Sequence, residues 1–124
     1  MRIAFVNPPF KFAFSRASRW PEITKSGTIY YPLFLCYAAA VAEKAKHEIF
    51  VLDAIARKID FDQTILEIDK FKPDMVVVES STPSIKNDVA FVEQYKKDNP
   101  TVKVVLVGTH PSALPDETMK MSKF

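Results

Sequence analysis

Four short apolar runs, rich in β-branched residues, constrain the fold of this chain more than any other feature. Runs that are apolar on both faces, rather than alternating, are typical of parallel strands covered by helices on both sides. Each run ends at proline, glycine or small polar residues, which marks where the strand stops. We predict strands at residues 2–6, 48–53, 75–78 and 102–107.

The segments between these runs carry the 3.6-residue period of helices. Asp60 and Gln63 match a capping box, so they predict the start of a helix that Pro73 ends. Ser84 is placed to cap the next helix, which runs to the turn at 98–100. A further helix is predicted at residues 31–46, and its apolar front half predicts deep burial. The last predicted helix begins at Pro115.

This alternation of strands and helices predicts an α/β fold of three layers, α/β/α, around a doubly wound parallel sheet. Right-handed crossovers favour a flavodoxin-like (Rossmann-like) order of second, first, third and fourth strand. We interpret residues 1–124 as one domain. The fourth strand would be left as an apolar edge, so we expect a fifth strand to follow in an intact protein of which this chain is an N-terminal fragment.

Composition and charge exclude several functions. The 124 residues carry 17 Lys and Arg against 15 Asp and Glu, a net charge of +2 that gives no basis for binding nucleic acid. Cys36 is the single cysteine, so the chain alone forms no disulfide, zinc cage or iron–sulfur site. No run has the length of a transmembrane helix, so no membrane partner is predicted. The expected compartment is the reducing cytoplasm.

Residues 10–29 show no clear period, and a loop of that length in a compact domain is usually functional or disordered. Basic residues such as Arg16 and Arg19 are interleaved there with aromatic residues such as Trp20. Such a segment could clamp a flat anionic cofactor or dock a neighbouring domain. The alternative is a solvated loop that orders only in the intact protein.

The carboxyl ends of the predicted strands form the candidate binding rim. In open parallel sheets, ligands bind beyond these ends, near the point where the strand order reverses. Polar, small or proline-rich segments follow each strand there, and hydroxyl and backbone N–H groups suit a phosphate or an amide. The candidate cofactor-binding residues are Asn7, Pro8, Pro9, Asp53, Ser80, Ser81, Thr82, Gly108, Thr109 and His110.

Simpler roles stay open for several of these residues. Ser81 or Ser84 could only cap a helix, and Gly108 could be an ordinary turn glycine. His110 has no carboxylate or cysteine partner nearby in sequence, so no metal ligand is assigned, and Cys36 is interpreted as a core residue. The sequence has no nucleophile elbow, P-loop or glycine-rich dinucleotide turn, so no catalytic residue is assigned.

The rim segments, taken in order, resemble a known family. The chain looks like the N-terminal cobalamin-binding domain of radical S-adenosylmethionine enzymes. That group includes the anaerobic magnesium-protoporphyrin IX monomethyl ester cyclases and the cobalamin-dependent radical methylases. The resemblance rests on Asn7-Pro8-Pro9, Tyr31-Pro32-Leu33, Val51-Leu52-Asp53-Ala54, Pro73-Asp74, Ser81-Thr82-Pro83 and the segment from Val107 through Gly108, His110 and Pro111 to Pro115.

The resemblance implies that cobalamin lies over the carboxyl ends of the strands. Its nucleotide tail would run beside the third and fourth strands, past Ser80, Ser81 and Thr82 and past Gly108. The turn Asn7-Pro8-Pro9 lacks the histidine that methionine synthase-type domains place there, so no cobalt ligand is implied. The iron–sulfur cluster and S-adenosylmethionine would belong to a downstream radical domain, which would be this domain's partner along with a small-molecule substrate.

Two departures from the family pattern bear on the pocket. Val107 stands where members usually have glycine and could narrow the tail channel, and Phe34 could fill part of the pocket. A bulky residue at Ser81 or Gly108 is expected to abolish cobalamin retention and to leave the fold intact. The alternatives are a cofactor-free interaction or scaffold domain, or a flavodoxin-like nucleotide binder.

Overall fold

The computed structural model describes residues 1–11, 13–16 and 22–123. Its main sheet has four parallel strands in the order β4-β1-β5-β6, which confirms the predicted order. Two short antiparallel strands pair separately within the region 10–29. The strands are β1 (Arg2–Asn7), β2 (Phe14–Ser15), β3 (Glu22–Ile23), β4 (Glu48–Asp53), β5 (Met75–Ser80) and β6 (Lys103–Gly108).

Helices connect the strands on both faces of the sheet. The four helices predicted from the sequence are present, each beginning or ending within a few residues of its expected bounds. The helices are α1 (Leu33–Lys44), α2 (Ala54–Arg57), α3 (Phe61–Phe71), α4 (Ile85–Asp98), α5 (Thr109–Ala113) and α6 (Pro115–Lys120). The sequence did not predict α2, α5 or the β2–β3 pair, because each is too short to show a period.

Local capping explains where α2 and α3 begin. Asp60 Oδ1 accepts a hydrogen bond from Gln63 N at 2.9 Å, and Gln63 Oε1 accepts one from Asp60 N at 3.1 Å, so the predicted capping box is confirmed. Asp53 Oδ1 accepts from Ala56 N at 3.1 Å and thereby caps α2 directly after β4. Asp53, which the sequence predicted to contact a ligand, therefore also acts as the N-cap of α2.

The larger core lies on the face of the sheet covered by α3 and α4, called here the α3/α4 face. The predicted apolar stripe of α3 packs there, with Ile68 fully buried and with Phe61 and Ile65 against it. Full burial of such a side chain stabilises a fold by roughly 1.5–3 kcal/mol. The buried members of this core are Ala4, Val6, Leu52, Ile68, Val76, Val78, Phe91, Val92 and Tyr95.

The opposite face, the α1 face, has a smaller core, and one prediction for it is wrong. The front half of α1 is not buried all round: Leu35 and Ala39 are buried, but Phe34 is 66% and Val41 70% exposed. The reason is that α1 packs on β1 and β4 with a single side, against Ile3 and Phe5. Phe34 therefore does not fill the space over the sheet.

Strand β6 is the outer strand of the sheet in the described residues. Its Val105, on the α1 face, is 40% exposed. The expected fifth strand beside β6 stays a prediction. Of the helices within residues 1–11, 13–16 and 22–123, none has both the length and the apolar character that crossing a bilayer requires.

Candidate functional site

The carboxyl ends of the four parallel strands meet at one edge of the sheet. The strand register places Asn7 opposite Asp53, and Ser80 opposite Gly108. Asn7 Nδ2 donates a hydrogen bond to Asp53 Oδ1 at 2.9 Å. The sequence-predicted residues of the rim are thus brought to the same edge, but they divide into an interior group and an accessible group.

A buried ion pair fills the crevice between β1 and β5, where the strand order reverses. The side chains of Arg16, which follows β2, and Asp88, on α4, are both fully buried, with Arg16 Nη2 2.5 Å from Asp88 Oδ1. Arg16 Nη1 also donates to Asn7 Oδ1 at 2.8 Å and to the carbonyl of Pro8 at 2.7 Å. These contacts hold the end of the segment 13–16 against the turn that follows β1.

Hydroxyl groups complete this cluster around Asp88. Ser80 Oγ and Ser84 Oγ donate to Asp88 Oδ2 at 2.7 and 2.6 Å. A hydroxyl has one proton, so Ser84 accepts from the fully buried Ser81, whose Oγ lies 2.9 Å away. We call Asn7, Arg16, Ser80, Ser81, Ser84 and Asp88 the Arg16 network.

The Arg16 network changes the interpretation of two sequence features. Ser84 occupies the N-cap position of α4 as predicted, but its side chain bonds Asp88 instead of capping the helix. Ser80 and Ser81 are bonded inside the protein and are almost inaccessible. Their predicted contact with a ligand stays untested. In this structure they form hydrogen bonds beneath the surface at the carboxyl end of β5.

Gly108 is required by the sheet itself. Its φ is +117°, and a Cβ built on it would lie 2.0 Å from the carbonyl oxygen of Ser80 on the neighbouring strand. Any side chain at this position would force β5 and β6 apart. The expectation that a bulky residue here leaves the fold intact is therefore wrong.

Replacing Gly108 with alanine is expected to destabilise the fold by about 1–3 kcal/mol, because only glycine adopts this backbone conformation readily. Urea unfolding of Gly108→Ala measures the loss. Gly27→Ala is the matched control, because Gly27 also has a positive φ, +72°, but no heavy atom lies within 4 Å of the added Cβ. Equal losses in the two variants would show that β5 and β6 do not approach as described.

Beside the Arg16 network, the α1 face presents a partly open surface over β5 and β6. We call its residues Val77, Glu79, Val105 and Val107 the β5–β6 shelf. Alternation along the strands places all four side chains on this face, and Val77 and Val107 pack against the α1 core. The shelf is apolar except for Glu79.

Glu79 is the unusual group of this surface. The residue is only 5% exposed, and its Oε2 has no hydrogen-bond partner among the described residues. Burial raises the pKa of Glu79 to about 7, and the carboxylates of Asp53 and Asp88 add to the rise, while Arg16 opposes it. Burial, followed by the charges of Glu79 and Asp53, also raises the pKa of the Cys36 thiol on α1.

His110 is a further buried polar group without a hydrogen-bond partner among the described residues, as are Arg2 Nε and Tyr95 Oη elsewhere in the fold. It lies on α5, directly after β6, and is 4% exposed. Neither ring nitrogen has a hydrogen-bond partner among the described residues, and Glu117 Oε1 is 3.8 Å from Nε2, too far for a hydrogen bond. Thr82 and Thr109, in contrast, expose their side chains at the rim.

Arg16, Asp88 and Glu79 were not assigned as site residues from the sequence. The sequence did contain an indication that Glu79 is unusual. It directly follows the apolar run 75–78, and β5 continues through it to Ser80. A charged residue in a strand that is buried on both faces indicates a perturbed group. Phe12, Arg19 and Trp20, from the predicted basic and aromatic loop, lie outside the described residues.

A groove with a volume of about 850 Å³ lies elsewhere, between α2, α3 and α4. Its polar side chains already have partners: Gln94 Nε2 donates to Asp62 Oδ1 at 2.6 Å, and Asn87 Nδ2 to the carbonyl of Pro9 at 2.7 Å. Size alone does not identify a binding site. The unpartnered buried groups favour the shelf and the adjoining rim.

Comparison with known proteins places this architecture in a family. The family model of the B12 binding domain matches residues 20–123. An uncharacterized methyltransferase of Pyrococcus horikoshii is 29% identical over 120 residues, which cover 97% of this chain and 24% of the relative. The anaerobic magnesium-protoporphyrin IX monomethyl ester cyclase of Rubrivivax gelatinosus is 25% identical over 122 residues, covering 97% and 20%.

The chain thus spans a quarter or less of the length of these curated relatives. No solved structure matches it significantly. The family model covers most of the chain, and the sheet order agrees with it. The chain belongs to the B12-binding domain family.

Proposed function

We propose that this chain binds cobalamin at the β5–β6 shelf and the adjoining rim, and positions it for chemistry carried out by another domain. The observation that carries the proposal is the pair of unpartnered buried groups, Glu79 Oε2 and the His110 ring, at the ends of neighbouring strands. Buried polar atoms are nearly always hydrogen-bonded, so such atoms mark a place where a ligand supplies partners.

The residues present fit such a ligand. The apolar side chains of Val77, Val105 and Val107 would hold the flat base of the nucleotide tail, while Glu79 and His110 meet polar groups of the cofactor. The exposed hydroxyls of Thr82 and Thr109 are available to amides or phosphate at the mouth. Bound cobalamin would supply a methyl carrier or a redox centre. The protein's part is to bind the cofactor, shield it from water and fix its orientation.

No residue is proposed as a cobalt ligand. The turn after β1 is Asn7-Pro8-Pro9, which offers no imidazole. The described residues contain no cluster of three or more His, Cys, Asp or Glu side chains arranged for a metal ion. The proposal therefore rests on contacts with the periphery and tail of the cofactor.

For the intact protein, we propose a radical S-adenosylmethionine enzyme of the methyltransferase or cyclase type, in the cytoplasm, acting on a small molecule. The names of the relatives and the small share of their length that this chain covers support a further domain. That domain would carry the iron–sulfur cluster and S-adenosylmethionine, because a single cysteine, Cys36, cannot hold a cluster here.

The test is equilibrium dialysis of the chain with hydroxocobalamin, with the bound cofactor measured by its visible absorption. We expect saturable binding, and we expect Val105→Trp to weaken it about tenfold or more by filling the shelf. Val51→Trp is the matched control, because Val51 lies on the same face of the other outer strand, is 39% exposed and is remote from β6. Equal binding by both variants would remove the shelf from the proposal.

The alternatives give different results in the same experiment. A chain that shows no saturable binding of hydroxocobalamin is a cofactor-free interaction or scaffold domain. A chain that binds flavin mononucleotide or another nucleotide instead is a flavodoxin-like nucleotide binder.

A further inference from the structure

The Glu79 carboxyl group is buried, and no cation among the described residues forms an ion pair with it. The Arg16 guanidinium, whose positive charge lowers the pKa of Glu79, already donates to Asn7, to the Pro8 carbonyl and to Asp88. The fully buried Asp88 carboxylate takes the positive charge of Arg16 in direct contact. Within the part of the chain that the structure describes, Glu79 therefore has charged neighbours but no ion-pair partner.

The titratable groups that interact electrostatically with Glu79 come from four parts of the chain. They are the carboxylates of Asp53 at the end of β4 and of Asp88 on α4, the guanidinium of Arg16 after β2, and the thiol of Cys36 on α1. Two carboxylates against one guanidinium disfavour a further negative charge, and burial acts in the same direction. The pKa of about 7 is the consequence, so near neutral pH the side chain has the proton needed to donate a hydrogen bond.

A neutral carboxylic acid has one hydrogen-bond donor and a carbonyl acceptor side by side. A primary amide presents the same pair in reverse, so the two groups form reciprocal hydrogen bonds without burying a charge. A ligand carboxylate at this position would meet Glu79, Asp53 and Asp88 and be repelled. An ionised Glu79 would keep only one bond to the amide, as an acceptor.

We propose that Glu79, in its protonated form, recognises a primary amide on the periphery of the ligand and so selects an amidated corrinoid over one with a carboxylate at that position. This inference rests on the proposed function, because the corrin ring carries acetamide and propionamide side chains. It makes Glu79 a specificity-determining contact of the shelf, supported by its unpartnered Oε2 and its 5% exposure.

The experiment measures dissociation constants by equilibrium dialysis with cyanocobalamin, whose cobalt ligands do not titrate near neutral pH. For the unchanged chain, the dissociation constant should rise severalfold, and at most about tenfold, from pH 6 to pH 8, because the protonated fraction of Glu79 falls about tenfold over this range and the ionised form binds more weakly. Glu79→Gln, which presents a neutral amide at every pH, should keep the affinity of the unchanged chain at pH 6 and lose the pH dependence. Glu79→Ala should bind about tenfold more weakly at pH 6.

The matched control is Glu43→Gln, at an exposed position of α1, which should behave as the unchanged chain. The separated monocarboxylic acid derivatives of cyanocobalamin supply the specificity arm. At least one of them should bind about tenfold more weakly than cyanocobalamin to the unchanged chain.

The outcomes separate this inference from the proposed function. If the unchanged chain binds no corrinoid at any pH, the proposed function fails and the role of Glu79 fails with it. A second outcome is that the chain binds cyanocobalamin with an affinity that does not change with pH, with either Glu79 substitution or with any amide-to-acid change in the ligand. That result would contradict the inference about Glu79 and leave the proposed function standing. Glu79→Gln is isosteric, so a folding defect of Glu79→Ala would not obscure the result.

Discussion

Replacing Arg16 with methionine is expected to lower the free energy of unfolding by about 3–5 kcal/mol, a large part of the stability of a domain this size. The side chain of Asp88 is fully buried and bonded to Arg16, so removing the guanidinium leaves a buried carboxylate with hydroxyl and amide donors only. Methionine preserves most of the volume, so the loss reports the charge rather than a cavity. Urea unfolding at neutral pH measures it.

The matched control is Arg57→Met. Arg57 Nη1 lies 3.8 Å from Glu67 and its side chain is half exposed, so its loss is expected to stay within about 0.5 kcal/mol. The double variant Arg16→Met/Asp88→Leu should lose less than the sum of the single variants, because both charges are removed together. A loss below about 1 kcal/mol for Arg16→Met would contradict a buried ion pair at the β1–β5 crevice.

The stability of the chain is expected to fall by about 3 kcal/mol between pH 4.5 and pH 7 through Glu79 alone. The pKa of Glu79 is raised from 4.5 to about 7 in the folded state, so in this window the folded chain retains a proton that the unfolded chain has lost. The contribution is therefore fully present below the unfolded pKa and is lost as the pH rises through the folded pKa. Urea unfolding measured at intervals across this range tests it.

Glu79→Gln removes the titrating group and keeps the shape. Its unfolding free energy should lack this decline, so the difference between the two chains should grow as the pH rises through 7 and level off above it. A parallel pH dependence in both chains would show that Glu79 ionises normally and that the shelf is wetter than described.

The sheet order could be predicted because it depends on features that are local in sequence. Uninterrupted apolar runs such as 75–78 identify buried parallel strands, and right-handed crossovers leave few ways to connect them. The depth of α1 could not be predicted from its composition. Its burial depends on what covers its outer side, and Phe34 and Val41 are exposed because α1 packs with one side only.

The candidate site was predictable in position but not in composition. Chain topology brings Asn7, Asp53, Ser80 and Gly108 to one edge, as the strand order requires. The contact of Arg16 with Asp88 joins residues 72 positions apart and comes from a segment without a period, so no local pattern indicates it. Which rim residues contact a ligand stays a prediction, and the structure shifts the proposal from Ser80 and Ser81 towards Glu79 and His110.

The most direct measurement maps the backbone amide signals of the isotope-labelled chain by NMR as cyanocobalamin is added. We predict that the largest changes in chemical shift fall on residues 77–82 and 105–110, the two segments that contain the β5–β6 shelf and the rim beyond it. Shifts concentrated instead on Ile55, Phe61 and Gln94, in the groove between α2, α3 and α4, would contradict it. The absence of any shift at saturating cofactor would contradict cobalamin binding itself.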